Sequence, residues 1–140
     1  MIVASSVRLC EFCYAGFMLI VNLYTPVPDY VWEGRERVFA IVGSLYRNFV
    51  FVERFYEVEN SSATPDETFE VLKGSILAAG IPSSATIIGF AHTHPPAEYH
   101  PSDADIAGLR KGFVGVVICE GITVWYDNKG ERLSMVYLRT

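Results

Sequence analysis

The chain has 140 residues, of which 51% are hydrophobic and 19% charged, with a formal net charge of −5. That size fits a single domain spanning 1–140, and the apolar content is ample for a compact core and argues against disorder. Lys and Arg total only 11 and are scattered, so no electrostatic footprint for nucleic acid is present.

In chain order, "MIVA" reads as a short first strand. Ser5 or Ser6 can cap a helix behind it, with Val7, Cys10, Tyr14, Phe17 and Val21 recurring at helical spacing. Cys10 and Cys13 form a C-x-x-C with no second pair to complete a four-sulfur site. They read as small buried thiols on that helix, with a local redox pair or an inter-chain disulfide as the alternative. The apolar run from Tyr14 to Val21 is too short to cross a bilayer, which needs roughly 20 residues. Only Arg8 precedes it as a base, and no small-residue cleavage pattern follows. A soluble, cytoplasmic protein without membrane association is expected.

"TPVPDY" (25–30) is loop, because two prolines in three residues remove donors and fix φ. Residues 37–46 and 49–58, rich in β-branched and aromatic side chains, predict a β-hairpin. "TPDETFEVLKGSILAAG" predicts a helix over 64–80: Thr64 as N-cap, Pro65 next, Glu67 completing a capping box, Gly80 at the end. Phe69, Leu72, Ile76 and Leu77 would be its buried face. "ATIIGFAHTH" (85–94) predicts a central strand, apolar until its histidines. A short helix follows from Ser102 to about residue 111, ending at Gly112. Three strands close the chain, in "FVGVVICEG", "ITVWYD" and "RLSMVYLR", the last two joined through "NKG". The fold class is therefore α+β (an α/β sandwich), a single mixed β-sheet flanked by helices.

All three histidines fall in "FAHTHPPAEYHPSDAD", residues 90–105. Alternate strand residues point the same way, so His92 and His94 present both imidazoles on one face. That suits two ligands of one tetrahedral zinc. Asp105, in the first turn of the next helix, is the best third ligand, although as partner of Ser102 it equally fits a capping box. Asp103 reads as an ordinary acidic first-turn residue, and His100 as a loop histidine outside the metal site.

His92-Thr93-His94, seven residues from Pro95 to Pro101, then Ser102, two residues and Asp105, resembles the JAMM signature of the MPN+ metalloproteases. That family also carries an upstream glutamate seven residues before a glycine, and Glu36 and Gly43 match. The order of elements is similar too, apart from a longer link, "NLYTPVPDYVWEG", readable as part of a substrate groove or of a homodimer contact. The resemblance implies an MPN/cytidine-deaminase-like sandwich. It implies one catalytic zinc per chain, bound by His92, His94 and Asp105 with water as fourth ligand. Glu36 would be general base and acid, and Ser102 the oxyanion donor. The implied substrate is an isopeptide or peptide bond after the tail of a ubiquitin-like or sulfur-carrier protein, as in a minimal prokaryotic or viral member. Alternatives are a RadC-like or phage tail-type domain acting on another peptide, and a non-catalytic MPN scaffold.

Overall fold

The structure, a computed structural model, describes residues 19–137. The expected first strand, the Ser5/Ser6 cap and the Cys10/Cys13 pair lie outside those residues. The described chain forms β1 (Ile20–Leu23), β2 (Val38–Tyr46), β3 (Phe49–Val58), α1 (Lys73–Ala78), β4 (Ile87–Thr93), α2 (Asp103–Gly108), β5 (Val114–Cys119), β6 (Ile122–Tyr126) and β7 (Ser134–Tyr137). One mixed sheet runs in the order β6-β5-β4-β2-β3-β1-β7. No helix among the described residues is long and apolar enough to cross a membrane.

The hairpin β2–β3 turns at Arg47 and Asn48, with Arg47 in the left-handed region at φ 57. β4 is central, antiparallel to β2 and parallel to β5. The expected turn after β6 forms around Asp127, whose carboxylate accepts from Lys129 N and Glu131 N. Arg132 then bridges Tyr126, and Leu133 N donates to Trp125 O. From there the chain runs straight into β7, which pairs with β1 instead. The sheet thus curls until its two edge strands are joined through residues 127–133. The larger core, including Val21, Val52, Ile88, Val116, Trp125 and Leu133, lies on one face. Val38, Ala40 and Val58 form a smaller cluster on the opposite face.

One expected helix, and the last residue of another whose remainder lies outside the described residues, are corrected. Val21 belongs to β1, not to a helix. Val21 and Leu23 are fully buried, in a parallel strand between β3 and β7. The spacing of Phe17 and Val21 suits one helical face, but ladder partners on both sides decide the outcome.

The predicted helix 64–80 is broken into two pieces, a first turn where Glu67 N and Thr68 N both donate to Thr64 O, and α1. Residues 68–72 then form no regular element, with Leu72 extended, and α1 covers six residues. Phe69 and Val71, two apart, pack on the small cluster. Glu70 between them bonds to the loop after β3, its N–H to Asn60 Oδ1 and its carbonyl to Ser61 N. Period-two burial outweighs the helix-start signals. Consequently Leu72 and Leu77, expected inside, are 50% and 75% exposed. α2 starts where expected but stops at Gly108, short of Gly112.

Gly115, opposite Tyr126 on the next strand, has no room for a side chain: a Cβ there would lie 2.2 Å from the tyrosine ring. Gly115→Ala is therefore expected to destabilise the protein by about 1–3 kcal/mol through forced repacking. A thermal melt unchanged from wild type would refute this.

Candidate metal centre

The strand register assembles the site. Val38 opposes His92 across the antiparallel β2–β4 ladder. Carrying that register two residues further sets Glu36 against His94. The ladder does extend that far, since Thr93 N donates to Arg37 O and Arg37 N to Thr93 Oγ1. Glu36, His92 and His94 therefore share a face. All three are buried, and their ligating atoms lie within 4.8 Å of one another.

α2 supplies the fourth group. Asp105 Oδ2 is 3.1 Å from His92 Nε2 and 3.1 Å from His94 Nε2, and the two Nε2 atoms are 3.0 Å apart. The same oxygen accepts from Ser102 N, while Ser102 Oγ accepts from Asp105 N. Both readings of Asp105 thus hold together: the capping box is formed, and it aims the carboxylate at the histidines.

Second contacts fix the rings. His94 Nδ1 is 2.9 Å from the Glu98 carbonyl. A carbonyl can only accept, so Nδ1 carries the proton and Nε2 turns its lone pair into the site. Tyr30 Oη donates to His94 O, and the Phe69 ring lies 4.5 Å from that of His92. Burial lowers the His92 pKa, keeping that ring neutral and able to donate a lone pair. Burial alone would push the Asp105 carboxyl up, but the two imidazoles and the Ser102 amide hold it well below the usual carboxylate range. Burial pushes Glu36 up to about 8, partly countered by His94.

Residues 32–135 match the family of prokaryotic homologs of the JAB domain, a span that contains Glu36, both histidines, Ser102 and Asp105. The chain belongs to the prokaryotic JAB-domain family. Among solved structures, this JAB domain is similar to a protein from Desulfitobacterium hafniense determined in solution. The two share 16% identity at a TM-score of 0.61, over 86% of this chain and 94% of the other, which is a likeness of fold. A JAB1/MPN domain protein from Archaeoglobus fulgidus aligns at 15% identity and a TM-score of 0.47, over 96% of this chain and 94% of the other. No curated protein matches the sequence significantly.

The JAB-domain residues fit a zinc ion. Tetrahedral ligands about 2.0–2.1 Å from zinc stand roughly 3.3–3.4 Å apart, close to the spacing of the two imidazoles and Asp105. Three lone-pair donors crowded this closely call for a cation between them. Glu36 Oε1 is also buried with no hydrogen-bond partner among the described residues, as an acid facing such a cation would be. His100 stays outside, against Arg132 Nη2 at 3.1 Å.

Two contributors carried no legible signal as site residues. Phe69 lay inside the predicted helix. Asn60 is 7% exposed and donates Nδ2 to both Glu36 O and Thr68 O. Its position just after a strand, in "ENSS", fits an Asx turn, but nothing there points to Glu36.

Proposed function

We propose that this JAB domain is a zinc-dependent peptidase or isopeptidase that cleaves the bond after the C-terminal tail of a ubiquitin-like or sulfur-carrier protein. The observation that carries this reading is the convergence of Asp105 Oδ2 on the two Nε2 atoms with a buried Glu36 beside them, whose Oε1 has no hydrogen-bond partner among the described residues. A scaffold needs no such donor set.

Zinc bound there would act as a Lewis acid, bringing the pKa of a coordinated water to about 7. Glu36 then accepts the proton of the attacking water and returns it to the leaving amine. Ser102 Oγ already accepts from Asp105 N, so its own hydrogen is free to donate to the carbonyl oxygen as charge develops. No nucleophilic side chain is required.

The segment 68–72 supports a peptide substrate. Thr68 and Glu70 bond inward to Asn60 and Ser61. The backbone N–H and C=O groups of Phe69 and Val71 have no partner among the described residues. A substrate tail can add there as a strand, next to the histidines.

The test is a cleavage panel of ubiquitin-like and sulfur-carrier fusions, with chelator and then with added zinc. Cleavage lost to chelator and restored by zinc is expected. Protein that purifies without metal, ignores zinc in thermal melts and cleaves nothing would favour the scaffold. Ser102→Ala should lower kcat by on the order of 10²–10³ and weaken the α2 cap by about 1 kcal/mol. Unchanged kcat would remove Ser102 from the chemistry.

A further inference from the structure

On the same face as the metal centre, a pocket of about 270 Å³ opens between the segment 68–71 and α2. Phe69, Val71, Phe90 and Leu109 make its walls apolar, and Asp105 belongs to both pocket and metal centre. Tyr126, on β6, also lines it, though the residue is only 1% exposed.

The pocket is built to admit that phenol. Gly115 pairs with Tyr126 on one side and with Phe90 on the other. Because Gly115 has no side chain, the tyrosine lies flat across β5. A Cβ at Gly115 would meet its hydroxyl at 2.6 Å. A glycine inside a strand marks such a close approach. No described residue hydrogen-bonds the Tyr126 hydroxyl. Since Tyr126 lines the pocket, its hydroxyl is available to a polar group that enters there.

We infer that this is the specificity pocket for one side chain of the peptide substrate, in which Tyr126 selects a long side chain with an apolar stem and a neutral or basic, hydrogen-bond-donating tip. The occupant's being a peptide rests on the peptidase reading above. The apolar walls suit the stem, and the phenol oxygen accepts from the tip. Asp105 and Glu70, which line the pocket, disfavour an acidic tip. Phe69 and Val71, whose backbone groups have no partner among the described residues, both line the pocket, so a tail added along them can lower one side chain into it.

The experiment measures binding rather than turnover. Zinc-loaded E36Q protein is titrated with fluorescent hexapeptides in which each position in turn carries Gly, Leu, Gln, Lys or Glu. At one position the Gln or Lys peptide should bind about tenfold more tightly than the Leu or Glu peptide, a difference of about 1.4 kcal/mol. Y126F should erase the Gln–Leu difference and leave the Gly peptide unchanged. G108L, at a lining position where a Cβ meets nothing within 4 Å, should weaken every long side chain but not Gly. Equal binding at all positions, no binding by any peptide, or a uniform loss in Y126F would each overturn the assignment. Selective binding with no cleavage of any substrate by the wild type would uphold the pocket and refute the peptidase reading.

Discussion

Glu36→Gln is expected to keep the metal while losing on the order of 10²–10⁴ in the rate of peptide hydrolysis. The substitution is nearly isosteric at a site 2% exposed, and it changes no atom of His92, His94 or Asp105. What it removes is the ability to take up a proton and release it. Single-turnover cleavage, with zinc measured on the same sample, separates the two effects. Full activity against every substrate cleaved by the wild type would show that the base lies elsewhere.

The same variant has a pH signature in metal-free protein. Burial, against the opposing effect of His94, raises the Glu36 pKa to about 8, whereas an unfolded glutamate ionises near 4.3. The neutral acid is therefore the favoured folded form. The resulting stability is fully present below the unfolded value and is lost as pH rises through the folded one. Metal-free wild type should lose on the order of 1–3 kcal/mol relative to E36Q between about pH 5 and about pH 8. Parallel denaturant titrations that do not diverge over this range would contradict the burial argument.

Asp105→Ala is expected to weaken zinc binding by more than about 100-fold, since even groups behind a ligand cost 10–100-fold when changed. Hydrolysis should fall with it. The carboxylate also closes the capping box, so about 1 kcal/mol of helix stability goes as well. Asp105→Asn separates the two roles. The amide oxygen still accepts from Ser102 N but brings no negative charge to the imidazoles. Zinc competition against a chromophoric chelator should rank wild type well above both variants, with Asn above Ala in thermal stability alone. Near-wild-type zinc affinity in Asp105→Ala would leave Glu36, His92 and His94 as the binding set.

Much of the site was legible in the sequence because its parts are local. His92 and His94 share a face through strand alternation, and Ser102 with Asp105 is a helix-start pattern that forms as written. Glu36 was reachable only through its spacing to Gly43; the register that sets it against His94 is a pairing of distant strands, invisible to local pattern. The hairpin and the central β4 followed from β-branched runs. The helix over 64–80 failed because good capping signals at Thr64 competed with burial of Phe69 and Val71 against a sheet the local pattern does not show. Tyr126 gave no sign of facing a pocket, since its access depends on a missing side chain on the neighbouring strand.

On the peptidase reading proposed above, Asn60 joins two things that catalysis would need to keep in step. One carboxamide grips the carbonyl of Glu36 and, with its other hydrogen, the carbonyl of Thr68, while its oxygen takes the amides of Ser62 and Glu70. The proposed proton acceptor and the proposed peptide-docking edge would thereby be mounted on a single bracket. The distance between them is set by the dimensions of an amide, not by the packing of two independent loops. If a peptide docks on that edge as proposed, Asn60 would index it to Glu36 as it binds, tying recognition to proton transfer through one side chain.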